Sequence, residues 1–194
     1  MAAEHPRARK QEPRNRSSAD KNVDPQMTER RTDHLTRKRV AEMSPEEMRQ
    51  ALLVSEKAGL PNKRAFDEGE TSPFVAMCDV NGLKALNDEF GYSAGDTLIR
   101  RFAEVLIGVG LDAYHDKGDE FLCKGTSYEE LNQRLSQAQL RLKGEPFAIL
   151  SLHGRVTTIP GADFCYGIGT NPEEAERSLK HQKELRDVSR ADKR

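Results

Sequence analysis

FVAMCDVNGLKALNDEFGYSAGDTLIRRFAEVLIG, residues 74–108, combines one strand pattern with two helix patterns. Its first six residues form a nearly continuous apolar run, which is typical of a short strand buried on both faces. The Asn81-Gly82 pair then predicts a turn, and a short helix follows it. Ser93 is expected to cap a second helix, because apolar residues at helical spacing follow it. These residues are Leu98, Ile99, Phe102, Val105 and Leu106.

A hairpin and a closing helix are predicted further along the chain. LDAYHD and DEFLCKG indicate two strands joined by a tight connection at Lys117-Gly118. SYEELNQRLSQAQLRL predicts an amphipathic helix, and FAILSL, RVTTI and DFCYGIG predict three more strands. In the last helix Asn171 is expected to be the N-cap and Pro172 the first helical residue. Because a hairpin interrupts the alternation of helices and strands, the predicted class is α+β, an α/β sandwich with a mostly antiparallel central sheet flanked by helices.

Residues 1–43 are predicted to form a disordered basic tail. The first 40 residues carry eleven Lys/Arg and six Asp/Glu, a net charge of +5, whereas the remainder carries −6. So few apolar side chains cannot bury enough surface to offset the entropy of ordering. A basic tail can contact nucleic acid or anionic lipid, but a solubilising role is the simpler interpretation.

The folded domain is predicted to span residues 44–194. Its first helix is expected to be capped by Ser44, with Pro45 at the first position, and to stop at Gly59 and Pro61. No run approaches the roughly 20 apolar residues of a membrane span, and no secretory signal is visible. The three cysteines are widely spaced within apolar runs, which indicates buried free thiols. We therefore expect a cytoplasmic protein without membrane contact.

Three carboxylates suggest a metal site. Asp79 ends the buried strand, while Asp119 and Glu120 lie at the tip of the hairpin. If those strands are neighbours, Asp79 and Asp119 meet at one edge of the sheet, where they repel each other unless a cation lies between them. Mg²⁺ is usually held by one or two carboxylates together with substrate phosphates. The pattern favours metal-assisted phosphoryl or nucleotidyl transfer, and the alternative is an ordinary acidic hairpin tip on a protein surface.

The sequence also resembles a known family. AGLPNKRAF, CDVNGLKALNDEFGYSAGDTLIRRFAEVL, HDKGDEF and CYGIG occur in the order and approximate spacing found in diguanylate cyclases, the GGDEF family, from about residue 56 to residue 190. The resemblance implies a palm-like fold similar to that of nucleotide cyclases and polymerases. It implies that two GTP molecules are condensed to cyclic di-GMP across a two-fold homodimer, with Mg²⁺ (or Mn²⁺) as cofactor. Each ribose 3′-hydroxyl would attack the α-phosphate held by the other protomer.

By this resemblance, the metal ligands are Asp79, the carbonyl of Val80, Asp119 and Glu120. Glu120 is also a candidate to deprotonate the 3′-hydroxyl, so Asp119 and Glu120 are the catalytic candidates. The short turn would bring Asp119 opposite Asp79.

The resemblance further implies a substrate site. The backbone near Leu83 and Lys84 and the bare backbone at Gly118 would contact phosphate. Asn87 and Asp96 would recognise the edge of guanine. An aspartate that accepts hydrogen bonds from guanine would be left unpaired opposite adenine, which favours GTP.

The last helix supplies the remaining candidates. Lys183 corresponds to a lysine that clamps the triphosphate. An arginine is expected four residues later, where this chain has Asp187. Arg186 is the candidate substitute, although a step of one residue rotates a side chain by about 100° around a helix.

Four departures from the family pattern leave other functions open. Lys117 replaces the first glycine of the signature, His115 replaces an arginine, Tyr92 replaces a histidine, and residues 67–73 replace much of a helix. The first hypothesis is an active diguanylate cyclase. The second is a catalytically degenerate module that binds GTP or a protein partner, and the third is a synthase of a different nucleotide product. Binding of nucleic acid by the tail is a further, less favoured possibility.

Overall fold

The computed structural model describes residues 42–152 and 154–191, without the side chains of residues 189 and 190. The predicted tail therefore lies almost entirely outside the described residues. The helices are α1 (Pro45–Ala51), α2 (Lys63–Glu68), α3 (Leu83–Phe90), α4 (Tyr92–Gly108), α5 (Tyr128–Gly144) and α6 (Pro172–Ala191). The strands are β1 (Phe74–Val80), β2 (Asp112–Lys117), β3 (Glu120–Gly125), β4 (Phe147–Leu150), β5 (Val156–Ile159) and β6 (Phe164–Gly169).

The central sheet has the strand order β2-β3-β1-β6, and all its neighbouring strands are antiparallel. β1 lies between β3 and β6, and it has buried residues on both faces, Val75 on one and Ala76 and Cys78 on the other, which confirms the predicted burial on both faces. The predicted α+β class with an antiparallel sheet flanked by helices is confirmed. β4 and β5 form a separate two-stranded sheet, so these two predicted strands do not join the central one.

The main core lies between one face of the sheet and α4 and α5. Phe102 of α4 is fully buried, with ring centroids 4.8 Å from Phe121 of β3 and 4.6 Å from Phe164 of β6. Leu135 and Leu142 of α5 complete this layer, and both are fully buried. The aromatic cluster joins three elements that are distant in sequence, so it fixes β1 in the middle of the sheet.

The opposite face of the sheet packs against α6. Gly167 of β6 makes a close approach possible, because a Cβ there would lie 2.1 Å from the backbone nitrogen of Leu179. Ala175 and Leu179 are buried in this layer. The glycine explains part of the CYGIG sequence: it lets α6 lie directly on the strand and extend towards the end of β1.

Several element boundaries differ from the sequence-based expectations. Gly91, with φ 92°, is the residue before α4, which begins at Tyr92, so Ser93 lies within the helix and does not cap it. The first helix ends at Ala51, before Gly59 and Pro61, because the chain turns there and residue 54 pairs with residue 61. A serine or a glycine only favours a helix boundary at its own position. A stronger turn nearby in the sequence can end or begin the helix at another residue.

The predicted cap at Asn171 and the predicted free thiols are confirmed. Asn171 caps α6, since its Oδ1 accepts a hydrogen bond from the backbone of Glu174 at 3.0 Å. Cys78, Cys123 and Cys165 are buried free thiols. Burial raises the pKa of the Cys78 thiol, and its neighbour Cys123 adds to the rise. Within the described residues, no helix has the length and apolar character needed to cross a membrane.

Candidate functional site

The carboxylates of Asp79 and Glu120 share one face of the sheet. Asp79 is directly opposite Glu120 in the β1–β3 pair and directly opposite Cys165 in the β1–β6 pair. Residues opposite each other in antiparallel strands have their Cβ atoms about 5 Å apart on the same face. β1 therefore brings two predicted site residues together where it ends.

Asp119 lies one step beyond this pair. Its backbone carbonyl accepts a hydrogen bond of 3.0 Å from the N–H of Val80, which holds the turn against the end of β1. The connection itself consists of Gly118 and Asp119, not of Lys117 and Gly118 as predicted, because Lys117 still pairs with Glu120. The strands are therefore neighbours, as the metal hypothesis required. Convergence of Asp79 and Asp119 on one ion stays a prediction.

Gly118 is suited to a close backbone contact. Its φ of 54° lies in the left-handed region, and no atom lies within 4 Å of the position that a Cβ would occupy. The turn is therefore open on that side, as expected of a backbone that could approach phosphate.

Ammonium groups pair with both carboxylates. Lys183 Nζ of α6 donates to Asp79 Oδ2 at 2.6 Å, and the Asp79 side chain is only 14% exposed. Lys117 Nζ lies 3.4 Å from Glu120 Oε2, on a side chain that is 76% exposed. The first contact is well sheltered from solvent and the second is not, so Lys183 is the stronger electrostatic partner of the site.

Arg186 also points towards the end of β1. Its Nη1 donates to Asn81 Oδ1 and contacts Cys165 Sγ at 3.4 Å, while its guanidinium pairs with Asp187. Lys183 and Arg186 are three residues apart, and such residues lie on the same side of a helix. The shift of one position from the family pattern thus leaves the arginine on the site face, whereas the side chain of Asp187 is 64% exposed.

The start of α3 borders the same edge of the sheet. Gly82, with φ 83°, precedes the helix, and no side chain caps it. The first amides of α3, which include those of Leu83 and Lys84, therefore have no partner within the helix, and such amides favour an anion. The side chain of Lys84 is turned away into an exposed ion pair with Asp88 at 2.9 Å. The backbone, more than the Lys84 ammonium, fits the predicted phosphate contact.

Asn87 and Asp96 lie at the junction of α3 and α4. Asn87 Oδ1 is buried and has no hydrogen-bond partner among the described residues. It occupies the space beside Gly95, where a Cβ would lie 2.0 Å from it. Asp96, the next residue of α4, has its Oδ1 3.3 Å from Lys57 Nζ. An unpaired amide oxygen thus lies beside the residue that precedes a partly exposed carboxylate, and both groups could accept hydrogen bonds from a base.

The donor set fits a hard divalent cation with incomplete protein coordination. Asp79 and Glu120 offer oxygen ligands on one face, with Asp119 beside them. In the described part of the chain, no group of three or more His, Cys, Asp or Glu side chains is arranged to hold a metal ion. A Mg²⁺ ion at this place would need further oxygen ligands from a phosphate, which is its usual mode of binding.

Sequence reasoning missed the contacts of three residues around the site. Cys165 was identified only as a buried thiol, although it lies opposite Asp79. The sequence identifies His115 only as a departure from the family pattern, but its ring forms a hydrogen bond of 2.7 Å with Ser55 Oγ and another of 3.1 Å with the carbonyl of Gly118. Lys57 was not singled out. Only the Cys165 contact could have been found from sequence, by counting register along two neighbouring strands.

Two curated proteins resemble parts of the chain, and no family model matches it. An uncharacterized protein of the hutH 5′ region of Streptomyces griseus is 31% identical over 136 residues, covering 64% of this chain and 45% of that protein. The diguanylate cyclase VdcA of Vibrio cholerae is 36% identical over 80 residues, covering 36% of this chain and 23% of that protein. The matched region spans less than half the length of either relative.

Solved GGDEF domains share the fold. A diguanylate cyclase/phosphodiesterase from Caldicellulosiruptor saccharolyticus matches with a TM-score of 0.56 at 18% identity, covering 71% of this chain and 91% of that one. The GGDEF domain of DgcB from Caulobacter crescentus, in complex with c-di-GMP, matches with a TM-score of 0.54 at 20% identity, covering 73% and 92%. The resemblance predicted from sequence is confirmed in the fold.

Proposed function

Because the chain has the fold of GGDEF diguanylate cyclase domains, we propose that it binds Mg²⁺ and GTP and condenses two GTP molecules into cyclic di-GMP. One observation carries the proposal. Asp79 lies opposite Glu120 at the end of the central strand β1, and Lys183 of α6 donates a hydrogen bond to the carboxylate of Asp79. Two acids at the end of this strand could hold Mg²⁺, and the ammonium could bind a phosphate, as nucleotidyl transfer requires.

The acidic residues would hold the metal and the reacting oxygen. Asp79, Asp119, Glu120 and the carbonyl of Val80 are the proposed ligands of Mg²⁺, which supplies charge stabilisation at the α-phosphate when bound. Glu120 is proposed to accept the proton of the ribose 3′-hydroxyl. The 3′-oxygen then forms a bond to the α-phosphorus while the bond to the leaving pyrophosphate breaks. Two such transfers yield one cyclic dinucleotide and two pyrophosphates.

The remaining residues would position the nucleotide. The amides at the start of α3, Leu83 and Lys84, and the open backbone of Gly118 would bind phosphate oxygens. Lys183 and Arg186 would exchange their present partners for the triphosphate. Asn87 and Asp96 are proposed to bind guanine. Because each nucleotide supplies both a nucleophile and an α-phosphate, a two-fold homodimer with its sites face to face is required.

The test is turnover by the purified full chain at high protein concentration. GTP and Mg²⁺ are added, and cyclic di-GMP is quantified by mass spectrometry. Glu120→Gln should keep GTP binding and lower turnover at least about 100-fold, as expected for a general base. Asp119→Asn, which leaves the backbone contact with Val80 in place, should abolish it. If the wild-type protein binds GTP but forms no cyclic di-GMP across a range of protein concentrations, the proposed cyclase activity is refuted.

A catalytically degenerate GTP-binding module is the second candidate. The observation that favours it is the ammonium of Lys117 beside Glu120, because a positive charge there opposes metal binding. In this case the protein binds GTP without turnover and acts through a protein partner. The variant Lys117→Gly separates the two candidates. If it forms cyclic di-GMP, or forms more than the wild-type protein, then Lys117 inhibits turnover by an otherwise competent cyclase. If it binds GTP but forms no product, the result supports the GTP-binding module.

A further inference from the structure

Lys57 lies at the proposed guanine site, although no sequence motif pointed to it. Its ammonium is 3.3 Å from Asp96 Oδ1, and the two side chains are 60% and 35% exposed. Asp96 belongs to α4, whereas Lys57 belongs to the connection between α1 and α2. Two separate parts of the chain thus place opposite charges side by side at the junction of α3 and α4.

The backbone that carries Lys57 is held firmly. The N–H of Gly59 donates to the carbonyl of Ser55 at 2.8 Å, and the N–H of Ser55 donates to the carbonyl of Leu60 at the same distance. Ala58 and Leu60 are buried in the main core. The turn around Lys57 is therefore anchored on both sides, and the fold keeps its backbone within reach of Asp96.

The edge of guanine offers groups that match this pair of charges. Guanine carries an acceptor, O6, beside its N1–H and 2-amino donors, whereas adenine carries a 6-amino donor in place of O6. A carboxylate can accept from the guanine donors, and an ammonium can only donate. An ammonium next to the carboxylate therefore complements guanine and opposes the amino group of adenine.

We propose that Lys57 is a specificity-determining residue, which donates a hydrogen bond to O6 of guanine while Asp96 accepts from N1–H and the 2-amino group. The inference rests on the proposed function, since it assumes that Asn87 and Asp96 bind the base. It adds a residue from outside α3 and α4 to that site. In this structure the donor and the acceptor already lie 3.3 Å apart.

The experiment measures binding of two nucleotides to the full chain by calorimetry. The probes are the α,β-methylene analogues of GTP and ATP with Mg²⁺, because neither can release pyrophosphate. Lys57→Met should lower the affinity for the guanosine analogue about tenfold, which is the lower end of the range for a hydrogen bond to a charged group. The affinity for the adenosine analogue should stay unchanged or rise slightly. Lys57→Arg should restore most of the affinity.

The control is Lys63→Met, which removes an equally charged side chain from an exposed ion pair with Asp67. It should change neither affinity. Three outcomes for Lys57→Met would overturn the role of Lys57: equal losses of affinity for both analogues, no loss of affinity, or tighter binding of the guanosine analogue. Each of them would leave the proposed function standing. If the wild-type protein binds neither analogue, the proposed function and this inference fall together.

Discussion

Lys183 and Asp79 are 104 positions apart in the chain, and the Nζ of Lys183 donates to Oδ2 of Asp79 at 2.6 Å. The contact joins the closing helix to the end of the central strand. It is possible because Gly167 lets α6 lie directly on β6. The ammonium lies beside the carboxylate at which the proposed metal would bind, so Lys183 and Mg²⁺ are expected to compete for Asp79.

The first prediction concerns that competition. Lys183→Met should tighten Mg²⁺ binding to the nucleotide-free protein, because the ammonium no longer neutralises Asp79. The same change should lower the affinity for GTP about tenfold, because one positive charge is lost from the proposed triphosphate site. Calorimetric titration with MgCl₂ and with the GTP analogue measures both effects. Lys180→Met, on the same helix, is the control, and weaker Mg²⁺ binding in Lys183→Met would contradict the prediction.

The second prediction concerns the space beside Asn87. A Cβ at residue 95 would lie 2.0 Å from Asn87 Oδ1, so Gly95→Ala must rotate the amide. Because that atom is the end of a side chain, and alanine favours a helix by about 1 kcal/mol over glycine, the free energy of unfolding should change by less than about 1 kcal/mol. The affinity for the GTP analogue should nevertheless fall about tenfold.

Gly144→Ala, at the end of α5, is the matched control, because no atom lies within 4 Å of its Cβ position. It should leave the affinity unchanged. Unaltered nucleotide binding in Gly95→Ala would show that Asn87 does not contact the base.

The third prediction concerns His115, which is 5% exposed. The carbonyl of Gly118 can only accept, so His115 Nε2 donates to it, and in the neutral ring Nδ1 accepts from the hydroxyl of Ser55. His115→Phe removes both bonds, so the half-buried hydroxyl of Ser55 loses its acceptor and the carbonyl of Gly118 loses its donor. The free energy of unfolding should fall by about 2 kcal/mol, and by about 1 kcal/mol in Ser55→Ala. Urea denaturation measures both, and equal stability of His115→Phe and the wild-type protein would be inconsistent with these bonds.

The fourth prediction concerns the acid stability of α6. The carboxylate of Glu174 accepts hydrogen bonds from Thr170 Oγ1 at 2.6 Å and from its N–H at 3.0 Å. The first of these lowers the pKa of Glu174 below its ordinary value of 4.5. Because the pKa in the folded state is depressed, the stabilisation is present above pH 4.5 and is lost as the pH falls through the lower folded value.

Glu174→Gln should therefore lower the Tm at neutral pH, and the difference from the wild-type protein should shrink as the solution is acidified below pH 4.5. Differential scanning calorimetry over a pH series measures the gap. Glu173→Gln makes the same change of charge in the same helical turn and is the control. A gap that stays constant with pH would exclude the stabilising hydrogen bonds between Glu174 and Thr170.

The sequence by itself determined the order of the helices and strands. It also determined at which end of each element the site residues lie. The apolar run of β1, the cap at Asn171 and the hairpin around Gly118 are local signals, set by side-chain periodicity and backbone geometry within a few residues. Asp79 could thus be placed at the end of a buried strand. Ser93 shows the limit of such signals, because Gly91 with its positive φ begins the turn first.

Only the tertiary structure decided which of these ends meet. The pairing of Asp79 with Glu120, the reach of Lys183 and the position of Lys57 beside Asp96 depend on strand order and on how closely α6 packs. Those features arise from burial of a shared core, which couples residues regardless of their separation in the chain. A local pattern carries no information about such distances, so the charge balance of the site could not be read from it.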